Sequence, residues 1–318
     1  MLRSLTAAAL IATGTGPAPA QDVEFFTIAS GSIAGGYYSA ARAICDTINR
    51  SGAGAVRCSP DPTSGSIYNL DALREGHVDF ALVQSDWQRQ AVEGTGPFAE
   101  AGPMTGLRSV MGLYPEAITV LARGGLEIET AGDLLGRRVD IGHPSSGRYA
   151  TNQELFDLLD ITASDFAFLA ELPVGSVVDE LCAGRIDASL LIVGHPNGEI
   201  ARALMQCDAV LVPVSGPAID TLLDGTPDYS STVIPASAYR ELDRDVPTFA
   251  VTATIVTLAR TDEATVSRLA DRVIEDLPGL ARAAPVLSGL TPGEISSRGL
   301  TAPLHPGAEA VYSATGVF

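Results

Sequence analysis

The stretch Gly184-Arg185-Ile186-Asp187-Ala188-Ser189-Leu190 repeats the pattern of Gly76-His77-Val78-Asp79-Phe80-Ala81-Leu82. In both, a helical pattern carrying leucine and an acidic residue stops at a glycine, and an aspartate then starts an apolar run. Glycine accepts the left-handed conformation that ends a helix, so each stretch reads as a helix stop followed by a strand. Ahead of Gly76 the periodicities predict a strand near 23–29, a helix near 36–49, a strand near 55–59, a helix near 66–75 and a strand near 78–83. Tyr37, Ala41, Ile44, Cys45 and Ile48 form the apolar stripe of the first helix. Ahead of Gly184, Arg138 to Ile141 leads into a second small-residue loop, 142–148, and a helix near 148–159. The intervals Gly31 to Asp79 and Gly142 to Asp187 are nearly equal. Strands alternating with helices predict a mainly parallel sheet flanked by helices, and the recurrence predicts two α/β lobes of like topology.

The tail adds a strand from Thr248 to Leu258, a helix near 262–280 and a short helix after Leu304-His305-Pro306-Gly307. Val246-Pro247-Thr248 and the stretch from Ala117 to Arg123 are the expected hinge crossings. The expected organisation is a signal peptide over 1–20, one lobe built from 21–117 and 251–318, and a second lobe over 118–250. Arg3, the apolar run Leu5 to Ala12 and Ala18-Pro19-Ala20 have the order of a cleavable secretory signal. That apolar run is too short to span a bilayer, so the mature chain is expected to be soluble in the periplasm. The formal net charge is −18, and removing residues 1–20, whose only charge is Arg3, makes it −19. Such a surface disfavours nucleic acid and anionic lipid as partners, yet a small cleft can still carry local positive potential.

Four cysteines, Cys45, Cys58, Cys182 and Cys207, allow three pairings. In an oxidising compartment the short-range pairs Cys45–Cys58 and Cys182–Cys207 each close a small loop, and four buried thiols are the other reading. No C-x-x-C spacing occurs, and His143 and His195 lack a third ligand at metal spacing, so neither metal nor cofactor is expected.

In open α/β sheets ligands bind beyond the carboxyl ends of the strands. The candidate contacts therefore come from the loops there. From the first mouth they are Ser32, Gly35, Gly36, Tyr37 and Tyr38; from the next loop, Thr63, Ser64, Gly65 and Ser66; from the strand end, Gln84 and Ser85. From the second lobe they are His143, Ser145, Ser146, Gly147, Arg148, His195 and Asn197, with Tyr114 at the hinge. Each has an alternative role: Ser64, Ser66 and Asn197 as helix caps, Tyr37 as core, and Arg148 in a surface ion pair with Glu154 or Asp157. Glu116, also at the hinge, repels a carboxylate but accepts an amino group. Trp87 either shades the cleft or is buried elsewhere.

The series Ser30 to Tyr38, Thr63 to Leu70, Asp79 to Asp86, Leu113-Tyr114-Pro115-Glu116, Gly142 to Gly147, Gly194-His195-Pro196-Asn197, Asp245 to Thr248 and Pro303 to Glu309 resembles the TAXI-type solute-binding receptors of TRAP transporters. The resemblance runs in order along nearly the whole mature chain. It implies a type II periplasmic binding-protein fold, a monomer, and delivery of a small organic acid to membrane permease subunits driven by an ion gradient. Glutamate and related acids are the ligands it implies. The chain departs from the family pattern at Gly36, where threonine is usual, and at Arg148, which follows Gly147 where threonine is usual. An arginine there suggests a two-point clamp on a second carboxylate, hence a dicarboxylate or oxo-diacid. No G-x-S-x-G, H-E-x-x-H, Walker A or G-x-G-x-x-G pattern points to catalysis, so a non-enzyme is expected. A periplasmic enzyme acting on a small acid and a sensory binding module are the alternatives.

Overall fold

The computed structural model describes residues 23–50, 56–225 and 228–317. The expected signal peptide lies outside them. The chain begins with β1 (Glu24–Ala29), α1 (Gly36–Arg50), β2 (Val56–Asp61), α2 (Ser66–Glu75), β3 (Phe80–Gln84), α3 (Ser85–Glu93) and the long β4 (Leu107–Ala122). It continues with β5 (Arg138–Asp140), α4 (Gly147–Leu158), β6 (Phe168–Ala170), α5 (Val174–Cys182), β7 (Ala188–Val193), α6 (Gly198–Gln206), β8 (Val210–Val212), α7 (Pro217–Gly225) and β9 (Ser230–Ile234). The second long strand, β10 (Val246–Leu258), precedes α8 (Glu263–Glu275), α9 (Leu277–Ala283), α10 (Pro292–Ser297) and α11 (Pro306–Ala314).

The strands join in the order β2-β1-β3-β10-β4-β7-β5-β6, with β8 on β4 and β9 on β10. Either end of this series has the same plan. β2, β1 and β3 are parallel with β10 antiparallel beside β3; β6, β5 and β7 are parallel with β4 antiparallel beside β7. This is the internal repeat written as strand order.

The two aspartates that mark the repeat do the same work. Asp79 accepts the backbone N–H of Thr27 at 2.8 Å, and Asp187 accepts that of Arg138 at 3.0 Å, each ahead of its strand and reaching to the neighbouring one. Gly76 (φ 77°) and Gly184 (φ 67°) hold the left-handed turn before them.

Apolar cores divide the molecule. Phe26, Ile44 and Phe80 pack with Ile255 and Tyr312, while Leu70, Val83 and Trp87 pack with Val256. Val139, Phe156 and Leu190 pack with Phe249, and Leu121, Leu181 and Ile200 pack with Val246. β4 and β10 belong to both sets. Leu107 to Ala117 of β4 pair with β10, and Ala117 to Ala122 pair with β7. Ala253 to Val256 of β10 pair with β3, and its first residues pair with β9. Two continuous strands thus connect the first set of cores to the second.

Cys45–Cys58 and Cys182–Cys207 are disulfides with Cα separations of 4.9 and 5.2 Å, tying α1 to β2 and the end of α5 to the end of α6. Each closes a short loop and stabilises by about 3 kcal/mol in the chain-entropy account. The single helix expected over 262–280 is two. Asp276 accepts the N–H of Gly279 as an N-cap, and Pro278 in the first turn of α9 has no N–H to continue α8.

Candidate functional site

Between the two halves lies a cavity of about 390 Å³ at the carboxyl ends of the parallel strands. Four helix N-termini reach it: Gly36 of α1, Ser66 of α2, Gly147 of α4 and Val174 of α5 all line its wall. Unpaired N–H groups at such ends carry partial positive charge, each contributing about 0.3–1 kcal/mol toward an anion.

From the first half, Ser32, Gly35, Gly36, Tyr37, Thr63, Ser64, Gly65, Ser66 and Gln84 are brought to the wall. Tyr37 lines the wall and also belongs to the core. Its ring is core, and its hydroxyl donates to Glu116 Oε2 at 2.6 Å. Neither serine of the second loop caps α2: Gly65 (φ 119°) is the N-cap, Ser64 Oγ donates to the carbonyl of Ser145 at 3.3 Å, and Ser66 Oγ accepts the N–H of Gln84 at 3.1 Å.

From the second half, His143, Ser146, Gly147 and Arg148 line the cavity. Ser146 caps α4 by accepting the N–H of Tyr149 at 3.1 Å. His143 is on the exposed rim, its Nδ1 2.9 Å from Ser145 Oγ. Arg148 is buried, and the surface pair with Glu154 or Asp157 does not form. Its Nη2 pairs with the fully buried Asp140 and donates to Ser189 Oγ at 2.8 Å, while Nε donates to the carbonyl of Leu190 at 2.6 Å. Gly142, at φ 104°, leaves room for the arginine stem, whose Cδ would lie 3.1 Å from a Cβ there. Only Nη1 has no partner among the described residues. The expected two-point clamp is therefore corrected to a single N–H-bearing nitrogen, because the rest of the fork is spent inside the protein. Burial pulls the guanidinium below its ordinary pKa, opposed by the charge of Asp140.

Six expected contacts lie away from this wall. Tyr38 is half-buried on α1 without reaching it, and Ser145 is in the loop behind it, bonded to His143. Ser85 is buried with its Oγ accepting the N–H of Thr252 at 3.1 Å. Asn197 caps α6, accepting from Glu199 and Ile200 at 2.9 and 3.2 Å. His195, ahead of a cis bond to Pro196, sits between Thr119 Oγ1 (2.9 Å) and Tyr239 Oη (2.7 Å) and lines a second cavity with residues of β4 and β9. Tyr114 borders that second cavity too, although its hydroxyl lies 3.1 Å from where a Cβ on Gly36 would be.

Gly31, Leu172, Pro173, Val174, Ile192, Val193 and Gly194, none of them an expected contact, also line the cavity, as does Glu116, which the sequence offered only as repelling a carboxylate or accepting an amino group. The repeat held the signal for most of them. Leu172 to Val174 join β6 to α5 as Thr63 to Ser66 join β2 to α2, and Val193-Gly194 end β7 as Gln84 ends β3. Burial pushes the Glu116 carboxyl up to about 8 against the bond from Tyr37.

One flank of the cavity is closed by α3 against α4. Gln84 Nε2 donates to Thr151 Oγ1 at 2.9 Å, Trp87 Nε1 donates to the carbonyl of Gly147 at 3.2 Å, and Thr151 Oγ1 donates to Asp86 at 3.2 Å. Arg89 pairs with Asp228 beyond them. Trp87 is thus buried in this seam.

The NMT1-like family model matches residues 28–316. The chain belongs to the NMT1-like family. Among solved structures it is similar to MatC from Rhodopseudomonas palustris with bound malate, at 16% identity, with 86% of this chain and 91% of that one covered and a TM-score of 0.56. A periplasmic transporter matches at 14% identity over 87% and 92% of the two chains, with a TM-score of 0.58. PhnD1 from Prochlorococcus marinus, in complex with methylphosphonate, matches at 10% identity over 93% and 99%, with a TM-score of 0.52. At these identities the likeness is one of fold: the α/β architecture of type II periplasmic binding proteins, as expected. No helix among the described residues is long and apolar enough to cross a membrane.

Proposed function

We propose that this chain is an extracytoplasmic solute-binding receptor that closes its two halves, 21–117 with 251–318 and 118–250, over one small organic anion and delivers it to a membrane permease. The observation that carries the reading is the convergence of four helix N-termini on one cavity between strand ends, with Arg148, whose buried Nη1 has no partner among the described residues, in its wall. A carboxylate there receives a charge-assisted hydrogen bond, worth about 1.5–3 kcal/mol, together with the helix-end dipoles. That β4 and β10 pair and run through both sets of cores supports a hinge at these strands. Malate and methylphosphonate, the molecules bound in two structures of similar fold, are both small anions. The two disulfides support export to an oxidising compartment. The run of motifs from Ser30 to Glu309 supports a TRAP permease as the partner.

The test is thermal unfolding of the mature protein against a panel of mono- and dicarboxylates. A true ligand at a hundred times its dissociation constant stabilises by about 2.7 kcal/mol. No shift with any acid in the panel contradicts the proposal.

A further inference from the structure

The chemistry of the cavity is unequal at its two sides. The first half lines its side with the polar loop Thr63 to Ser66, whose hydroxyls are bonded to Ser30, Ser145 and Gln84. The matching loop of the second half is Leu172-Pro173-Val174, and beside it the end of β7 contributes Ile192 and Val193. Hydrocarbon therefore lines the cavity where the repeat places a hydroxyl-bearing loop opposite.

Cations are the second observation. Among the described residues Arg148 is the only lysine or arginine in the cavity wall, and Nε and Nη2 of its guanidinium are consumed by Leu190, Ser189 and Asp140. One buried nitrogen, Nη1, remains without a partner among the described residues. His143, the other basic side chain in the wall, is on the exposed rim and turned to Ser145. A ligand with two carboxylates finds a guanidinium for one of them. The other has only the dipoles of the remaining helix ends and no counter-charge, and beside Leu172, Val174 and Ile192 it is desolvated against methyl and methylene groups.

We propose that the ligand is a monoacid with a compact apolar body, its acid group at Arg148 Nη1 and the N-terminus of α4, its hydrocarbon against Leu172, Val174 and Ile192. This rests on the receptor reading and narrows it. The dicarboxylate suggested by Arg148 in the sequence is replaced, because the fork that was to hold the second acid is already bonded inside the protein.

Isothermal titration of the mature protein with 4-methylpentanoate, glutarate and 4-methylpentanamide tests this at pH 7. The expected result is that 4-methylpentanoate binds at least tenfold more tightly than either of the others, since glutarate lacks the apolar end and the amide lacks the charge. In the variant Leu172→Lys, at a half-buried position where the side chain can reach solvent, the ratio of the two acids shifts at least tenfold toward glutarate with little change in the unfolding midpoint. Glutarate binding as tightly as 4-methylpentanoate to the wild-type protein overturns the monoacid and leaves the receptor standing. Failure of every mono- and dicarboxylate to bind at millimolar concentration overturns both.

Discussion

The loop after β2 and the loop after β6 occupy the same place in the two halves, each leading a parallel strand into a helix whose first residue faces the cavity. One reads Thr63-Ser64-Gly65-Ser66 and spends its hydroxyls on bonds to Ser30, Ser145 and Gln84. The other reads Leu172-Pro173-Val174 and offers hydrocarbon. The fold fixes where the loops go, and their side chains are free to differ. A repeated topology thus gives a cavity with one polar side, one apolar side and, among the described residues, a single guanidinium in its wall.

The largest effect should come from that cation. Arg148→Met leaves Asp140 charged and fully buried, which costs about 3–5 kcal/mol of stability, read by urea unfolding. The double variant Asp140→Asn/Arg148→Met should recover most of that stability and none of the anion binding. Recovery of binding with it would break the contrast between the single charged point and its neutral surroundings.

The halves also differ in how they hold their carboxyls. In the first, burial pushes Asp86 and Glu116 up to about 8, while in the second Asp187 is held down to about 2, chiefly by its bonds from Arg138. A raised carboxyl binds more protons folded than unfolded, so stability is lost as pH rises from about 4 toward 8, by up to about 1.4 kcal/mol per pH unit for each group. Asp187 acts oppositely, its stabilisation disappearing as pH falls from about 4 to 2. Burial also pushes His195 down to about 4, which adds stability as pH rises to about 6.5 and nothing beyond. Between about pH 6.5 and 8 the decline therefore belongs to the buried acids, Asp86 with Glu154 and Asp228 facing it, and Glu116 beside Tyr37. Urea titrations across that window should show it, and Glu116→Gln and Asp86→Asn should each flatten it. An unchanged slope in both variants would contradict the assignment.

A smaller effect is expected where the halves touch. A Cβ on Gly147 would press on Gln84 Oε1 and stand 2.8 Å from Ser66 Oγ, both across the seam. Gly147→Ala should weaken ligand binding about tenfold, equivalent to about 1.4 kcal/mol, with unfolding free energy less affected. Smallest of all, Val174→Thr should weaken 4-methylpentanoate only a few-fold and leave glutarate unchanged, as titration would show.

Much of this was legible in the residues. Asp79 and Asp187 announced the repeat because each starts a strand by bonding a neighbouring backbone, a demand that fixes the residue type. The polar mouths were legible for a similar reason, since glycine and serine at strand ends have few other uses. Leu172, Val174 and Ile192 were not, because an apolar residue at a strand end looks the same whether it faces a core or a ligand. Ser85 and Asn197 misled in the opposite direction: their polar atoms satisfy the N–H of Thr252 and the start of α6. The corrected role of Arg148 needed coordinates, because Asp140 and Ser189 meet it only once β5 and β7 are paired.

The most direct test is a crystal structure with 5-bromopentanoate, whose bromine marks the apolar end by anomalous scattering. The account predicts the carboxylate at Arg148 Nη1 and Gly147, with the bromine against Leu172 and Val174. A bromine peak beside His195 in the second cavity, or the molecule reversed with its acid against Leu172, would contradict it.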